Sequence, residues 1–165
     1  MSQTHKQLID TFYTAFAQRD SAGMAACYHP EVVFHDPVFA TLKGWKAAAM
    51  WKMLCERGKD LRIEFRDVRA DETSGGAAWE AWYTFSATGK SVHNKVKAEF
   101  AFADGKIVKH TDEFNLTAWM GMALGAPGKL FGWLPPMQNG VGRKALRGLD
   151  EYIAKRNLSA SEFFP

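Results

Sequence analysis

The spacing of apolar residues changes once along this chain, near residue 60, from a helical period to a strand period. Before that point, Phe12 and Phe16 lie four residues apart in a pattern that places them on one face of a helix. After it, Leu61, Ile63 and Phe65 alternate with charged residues, as in a half-buried antiparallel strand. Helices followed by a run of strands are typical of the α+β class.

Turn signals divide the chain into predicted elements. Asp20-Ser21 ends the first helix, and Pro37 ends a strand rich in β-branched and aromatic residues. Val68 breaks the later alternation, which predicts a bulge near Asp67. The predicted elements are helices up to 19, over 22–28 and over 45–57, a strand over 31–36, and strands from 61 and over 77–88, 92–103 and 106–114. Gly75-Gly76 and Asp104-Gly105 are the predicted turns between these strands.

A curved antiparallel meander sheet with N-terminal helices across its concave side encloses a conical pocket. We therefore predict a cone-shaped α+β pocket domain over residues 1–115. Residues 116–165 are predicted to be a helical extension packed on the same domain, with an amphipathic helix over 143–157. Its apolar side chains, among them Trp119, Leu130 and Trp133, are expected to be buried over the mouth of the cone or against a partner subunit.

Composition limits the partners. The length of 165 residues fits one domain, and the net charge of +3 comes without a run of Lys or Arg, so we expect no nucleic-acid partner. No stretch reaches the roughly 18 apolar residues of a membrane helix, so no membrane partner is expected. An N-terminus without an apolar leader, with Cys27 and Cys55 outside any disulfide pattern, predicts a cytoplasmic protein. Aromatic residues make up 13% of the chain, which favours an apolar cavity.

Asp36 is a candidate catalytic carboxylate. Strand alternation places it on the same side as the core residues Val32 and Phe34, where burial would raise its pKa and make it a base near neutral pH. The alternative is an Asx turn, in which Asp36 caps the turn at Pro37 and Val38.

His110 and Asp112 are the second candidate group. They share one face of the last strand with Val108 and Phe114, so their side-chain tips can converge on one ligand atom. A base beside an orienting histidine suits proton abstraction next to a carbonyl group. A buried polar pair with a structural role is the alternative. A metal site is disfavoured because such sites usually contain more His or Cys, and we predict no metal and no cofactor.

Four stretches of this sequence resemble the nuclear transport factor 2-like superfamily, which includes ketosteroid isomerase and the SnoaL-type polyketide cyclases. They are the helix over 12–20, the segment over 33–38 followed by Gly44-Trp45, the hairpin over 100–107 and the strand over 110–114. The resemblance covers about residues 7 to 115. It implies the cone fold but does not fix one activity, because one fold hosts many functions.

The resemblance assigns roles to particular positions. Asp36 matches the general base of ketosteroid isomerases, and Asp112 resembles the acid/base of SnoaL-type cyclases in position. The two oxyanion donors of the isomerases are replaced by Phe12 and Ala98, which cannot donate hydrogen bonds, so steroid isomerisation itself is not expected. The predicted pocket wall consists of Phe12, Tyr13, Phe16, Phe34, Tyr83, Ala98, Phe100 and Phe114.

Two functions follow from these observations. The first is a cofactor-free isomerase or cyclase acting on a small hydrophobic carbonyl compound. Asp36 or Asp112 is its base, and His110 orients or shuttles the proton. The alternative is a non-catalytic module of the same fold that binds an apolar ligand or dimerises. Trp82 on the outer strand face predicts a homodimer through that face.

Overall fold

The computed structural model describes residues 2–165, with side chains from residue 4 onward. The helices are α1 (Ser2–Ala17), α2 (Ser21–Ala26), α3 (Trp45–Arg57), α4 (Leu116–Leu124), α5 (Ala126–Phe131), α6 (Pro135–Arg156) and a 3₁₀ turn (Ala160–Glu162). The strands are β1 (Tyr28–Asp36), β2 (Ala40–Lys43), β3 (Arg62–Ala70), β4 (Ser74–Phe85), β5 (Lys90–Ala103) and β6 (Lys106–Glu113).

All the strands belong to one six-stranded sheet with the order β2-β1-β6-β5-β4-β3. Strands β3 to β6 form the predicted antiparallel meander, and β1 joins its end by pairing with β6 in parallel. The predicted α+β class, with N-terminal helices on a curved sheet and a helical C-terminal extension, is confirmed.

Two predicted irregularities of the meander are present. The β3–β4 register shifts between Arg66 and Arg69, and Asp67 has a positive φ of 57°, so the bulge lies at the predicted position. Asp104 and Gly105 both have positive φ values, 54° and 72°, as the two central residues of a type I′ hairpin turn require.

Three local predictions were wrong. The second helix was predicted to reach residue 28, but α2 ends at Ala26 and Tyr28 is the first residue of β1. The Tyr28 side chain points into the core from the strand, where its hydroxyl bonds to His110. The short edge strand β2 was not predicted. Gly75 and Gly76 lie inside β4, and a Cβ at Gly75 would stand only 2.8 Å from the Arg69 carbonyl oxygen. That glycine therefore permits close strand packing, and the turn is made around Asp71, which accepts hydrogen bonds from Thr73 and Ser74.

The aromatic residues of α1 and α3 fill the concave side of the sheet. Phe12 and Phe16 meet Trp51 of α3 edge-to-face, with ring centroids 5.9 and 5.0 Å apart, and Phe16 meets Trp79 of β4 at 5.3 Å. Each such pair stabilises the fold by about 0.5–1.5 kcal/mol beyond the contribution of the apolar area that it buries. This cluster closes the narrow end of the cone. The two cysteines are free and buried.

The C-terminal helices continue this core. Leu149 and Tyr152 of α6 are 1% and 7% exposed and belong to the same buried cluster as α1 and α3. Helix α6 starts at Pro135, eight residues before the predicted helix, although Gly140 and Gly142 each cost about 1 kcal/mol relative to alanine. Proline at the first helical turn and packing of α6 on α3 favour the longer helix.

Burial of the extension is incomplete. Trp119 and Met120 of α4 are 7% and 0% exposed, as expected, whereas Leu130, Phe131 and Trp133 are 64%, 51% and 63% exposed. The expected burial over the mouth of the cone is therefore not seen for α5 and the turn after it, and burial of these side chains against a partner subunit stays a prediction. Helix α5 contacts α4 through the backbone of Gly128, where a Cβ would collide with the Met120 carbonyl oxygen. Because this glycine face is turned toward α4, the apolar side chains on the other faces of α5 point to solvent.

The outer face of the sheet carries Trp82, which is half-buried within its own chain. The His93 ring stacks on Trp82 with a centroid distance of 4.4 Å, and the Arg62 guanidinium lies 3.8 Å from the centre of its ring. The homodimer through this face stays a prediction. None of the helices within residues 2–165 is long and apolar enough to span a bilayer.

Candidate functional site

A cavity of about 620 Å³ opens between the sheet and the helices α3, α4 and α6. Its floor and walls come from β4, β5 and β6, the end of β1, and the last turn of α1. The side chains on it are mainly aromatic and aliphatic, and include Phe16, Val38, Phe39, Met50, Trp51, Met53, Leu54, Leu61, Trp79, Ala81, Tyr83, Phe85, Phe114, Trp119, Leu124, Val141 and Ala145. The polar side chains on its wall include Asp36, Asp112, Tyr83 and Asn94, which are described next.

Asp36 stands at the end of β1, where Pro37 stops the strand. Its Oδ1 accepts hydrogen bonds from the backbone N–H groups of Val38 at 2.9 Å and Phe39 at 2.6 Å, so the residue does cap an Asx turn. It also lines the cavity. The Asx-turn interpretation is therefore confirmed, and the catalytic interpretation stays a prediction. Only Oδ1 holds the turn, so the two interpretations are compatible.

Burial raises the pKa of the Asp36 carboxyl to about 6. The two backbone N–H donors oppose the rise because they stabilise the charged form, and the nearby Asp112 adds to it because like charges repel. The pKa of Asp36 thus lies closer to neutral pH than that of an ordinary aspartate.

His110 and Asp112 are bonded to each other at the floor of the cavity. Nε2 of His110 lies 2.9 Å from Oδ1 of Asp112, and Nδ1 lies 2.7 Å from the Tyr28 hydroxyl. That hydroxyl also accepts the Trp51 indole N–H at 2.8 Å, so its own proton points to Nδ1. Nδ1 is then the acceptor, and Nε2 carries the proton that it donates to Asp112.

Asp112 has a second donor in Trp79, whose indole nitrogen lies 3.4 Å from Oδ1. The side chain is 3% exposed and lines the cavity, whereas His110 is 0% exposed and lies behind it. The chain of hydrogen bonds from Trp51 through Tyr28 and His110 to Asp112 therefore orients the Asp112 carboxylate toward the cavity.

The parallel pairing of β1 with β6 brings the two carboxylates together. Phe34 pairs with His110 and His35 pairs with Thr111. When this register is continued by one residue on both strands, Asp36 falls next to Asp112, and the Asp112 charge does raise the pKa of Asp36. Neighbouring strands are about 4.8 Å apart. The two acids that the sequence singled out thus share one side of the cavity, as alternation on both strands requires.

The predicted wall residues divide into two groups. Phe16, Tyr83 and Phe114 line the cavity. The others do not, and lie one layer deeper in the core at 0–4% exposure; they are Phe12, Tyr13, Phe34, Ala98 and Phe100. The reason is the bulk of α1, whose aromatic side chains fill the narrow end of the cone that the pocket was expected to occupy.

Tyr83 presents a hydroxyl group at the cavity wall. Its oxygen accepts the Trp119 indole N–H at 2.8 Å, which leaves its own proton available to a ligand. Burial raises the pKa of Tyr83, and the nearby Asp36 charge adds to the effect, so the hydroxyl stays protonated.

Asn94 on β5 is a polar cavity residue that sequence reasoning missed. It is 8% exposed, lines the cavity, and its side chain makes no hydrogen bond with any residue in the part of the chain that the structure describes. The signal was present, because Asn94 interrupts the apolar alternation of Val92, Val96 and Ala98. Its amide therefore faces the cavity with its hydrogen-bonding capacity free for a ligand or water.

Candidate metal ligands are not clustered in the described part of the chain. Among residues 4–165, no three His, Cys, Asp or Glu side chains stand close enough together to hold a metal ion. The absence of a bound metal stays a prediction.

The fold and this pocket define a class of proteins, the α+β cones with a ligand cavity between sheet and helices. Within that class, the family model of the SnoaL-like domain matches residues 9–110. The chain belongs to the SnoaL-like family. The sequence has no match among curated proteins.

Several solved structures share the fold. A candidate polyketide cyclase from Xanthomonas campestris superposes with a TM-score of 0.61 at 22% identity, covering 73% of this chain and 97% of that one. A candidate hydroxylase from Streptomyces galilaeus gives 0.60 at 21% identity, covering 70% and 92%. An LEH-like epoxide hydrolase from M. tuberculosis gives 0.59 at 16% identity, covering 81% and 98%. At these identities the likeness is one of fold.

Proposed function

We propose that this protein is a cofactor-free isomerase or cyclase that removes a proton from a carbon next to a carbonyl group of an apolar ligand. The observation that carries the proposal is Asp36, a carboxylate with a pKa raised to about 6 beside a cavity of about 620 Å³. Such a group is mostly ionised at neutral pH, yet it is a stronger base than an ordinary aspartate.

The first step transfers a proton from carbon to Asp36. Oδ2 takes the proton, and the C–H electron pair moves into the carbonyl group to form an enolate. Oδ1 stays bonded to the Val38 and Phe39 N–H groups, so the base does not need to move. Fixed groups of this kind avoid reorganisation during the reaction.

The enolate oxygen needs hydrogen-bond donors, and the positions used by ketosteroid isomerases hold Phe12 and Ala98. The Tyr83 hydroxyl and the Asn94 amide are available instead, on the neighbouring strands β4 and β5 of the cavity wall. One donor of this type is worth about 10²–10³ in rate.

Asp112 and His110 complete the proposed mechanism. The Asp112 charge keeps Asp36 basic, and the buried histidine holds Asp112 in place. In an isomerisation, protonated Asp36 returns the proton to another carbon. In a cyclisation, the enolate carbon attacks a second carbonyl, whose oxygen receives the proton.

Exchange of carbon-bound hydrogen for deuterium tests the proposal without knowledge of the product. Cyclic ketones and 1,3-diketones are incubated with the protein in D₂O, and NMR follows the C–H signals next to the carbonyl. The Asp36→Asn variant should exchange about 10²–10⁴ times more slowly than the unaltered protein. Asp150→Asn, which changes an exposed aspartate of α6, is the matched control and should exchange at the original rate.

Ligand binding is measured in parallel by fluorescence, because Trp51, Trp79 and Trp119 line the cavity. Tyr83→Phe should keep binding and lower exchange about 10²-fold. Exchange that survives Asp36→Asn would refute Asp36 as the base. Binding without any exchange in the unaltered protein would favour the non-catalytic ligand-binding module.

A further inference from the structure

The charged groups of the cavity are separated by depth. At the floor lie the carboxylates of Asp36 and Asp112, the latter 3% exposed. At the mouth lie the exposed side chains of Arg57 at the end of α3 and of Lys144 and Arg147 on α6. The cavity is thus acidic inside and basic at its opening.

The cations at the mouth come together from two separate elements. The Arg57 guanidinium lies 4.0 Å from where a Cβ of Gly148 would stand, directly beside Arg147 in sequence. Lys144, Arg147 and Gly148 face the cavity from successive turns of α6. Arg57 and α6 therefore meet at one place on the rim.

No acid neutralises these three cations. Within residues 4–165, none of the three lies within 4.0 Å of a carboxylate, whereas Arg156 of the same helix pairs with Glu56 of α3 at 2.8 Å. Glu151 also lies on the rim, so these four charged groups sum to two positive charges. Two arginines and a lysine with free donors suit an anion, and a guanidinium can bind a carboxylate with two parallel hydrogen bonds.

We infer that the ligand is an amphiphilic acid, with an apolar carbonyl-containing body and an ionised carboxylate that Arg57 and Arg147 bind at the mouth, assisted by Lys144. This inference rests on the proposed function and names its substrate class. The carboxylate cannot sit at the floor, because Asp36 and Asp112 would repel it. Its position at the mouth directs the carbonyl body inward, toward Asp36, Tyr83 and Asn94.

A matched pair of probes tests this inference. The acid 4-oxo-4-phenylbutanoate and its methyl ester share the aromatic ketone and differ in charge. Titration followed by tryptophan fluorescence at pH 7.5 and low salt should show the acid binding about tenfold or more tightly than the ester. Arg57→Gln and Arg147→Gln should each weaken binding of the acid about tenfold and leave the ester unchanged.

Two controls separate this test from that of the proposed function. Arg143→Gln alters an exposed arginine of α6 that does not line the cavity, and it should leave the preference for the acid intact. Asp36→Asn removes the proposed base but leaves the mouth untouched, so it should also keep the preference. Equal binding of acid and ester, equal loss of both in the arginine variants, or no binding of the acid at millimolar concentration would overturn the inference.

Discussion

Polar side chains are buried in one region of the molecule and exposed in another. The first region is the cone formed by β1–β6 with α1–α3, and the second is the set of helices that follow residue 115. In the cone, Tyr28, His110 and Asp112 are 0–3% exposed, and each is hydrogen-bonded to a named partner. The later helices keep their charged side chains exposed and meet the cone mainly through apolar residues such as Leu149, with the Trp119–Tyr83 hydrogen bond and the Arg156–Glu56 ion pair as polar contacts. Buried polar networks are thus a feature of the cone, whereas the extension is held chiefly by burial of apolar area.

This difference matches the family boundary. The SnoaL-like match ends at residue 110, and the solved structures cover 70–81% of this chain. The proposed base Asp36 and its neighbour Asp112 lie in or next to the shared cone, whereas α6 adds the Arg147 and Lys144 cations to the cavity mouth. Chemistry common to a fold and selection of one ligand can therefore reside in different segments of a chain.

The largest expected effect concerns Leu149, which tests whether the extension belongs to the core. Leu149→Ala should lower the free energy of unfolding by about 2–5 kcal/mol, because a side chain that is 1% exposed leaves a cavity behind. Leu130→Ala removes the same atoms from a residue that is 64% exposed and should change stability by less than about 0.5 kcal/mol. Urea denaturation measures the free energy of unfolding of both variants. Equal losses of stability would contradict the assignment of Leu149 to the core and of Leu130 to the surface.

The next effect concerns the buried network of the cone. Tyr28→Phe removes the hydroxyl between Trp51 and His110 and leaves two buried groups unpaired, so it should cost about 2–4 kcal/mol. Tyr13→Phe is the matched control, because the Tyr13 hydroxyl is buried without a partner among the described residues. That variant should be neutral or more stable in thermal melts. A destabilisation as large as that of Tyr28→Phe would show that Tyr13 has a hydrogen-bond partner.

A smaller effect follows from Asp36 and depends on pH. Its pKa is about 6 when folded against 3.8 ordinarily, so the folded protein holds this proton more tightly than the unfolded chain. The stability of the unaltered protein relative to Asp36→Asn should therefore be greatest below about pH 4 and should fall by up to about 3 kcal/mol as pH rises through about 6. Asparagine can still accept the Val38 and Phe39 hydrogen bonds. A stability difference between the two proteins that does not vary with pH would contradict a raised pKa.

Much of the cone could be predicted because its signals are local. The alternation of Ile63 and Phe65, the break at Val68 and the Asp104-Gly105 turn each depend on a few consecutive residues, and all are present in the structure. The pairing of β1 with β6 could not be predicted in this way. Its partners are about 80 residues apart in the chain, and only that pairing places Asp36 beside Asp112.

The size and position of the cavity also depended on distant contacts. Phe12, Phe34 and Phe100 have the apolar character of pocket residues, but the packing of α1 buries them below the cavity. The first half of helix α6 contains Gly140 and Gly142, which weaken it locally, and the helix extends over them because its apolar face packs on α3. Leu130 and Trp133 are apolar like core residues, but they are exposed because no other described residue of the chain packs over them.

The order of residues alone predicted the class of fold and the meander with its bulge and hairpin, and it singled out Asp36, His110 and Asp112 as candidate site residues. Period, turn chemistry and an acidic group on an apolar strand face are properties of short segments. Tertiary structure decided which of these groups meet, the pKa of Asp36, the tautomer of His110, and the cationic mouth formed by Arg57 and α6. Those properties depend on burial and on neighbours distant in sequence, since desolvation and hydrogen bonding act through space and not along the chain.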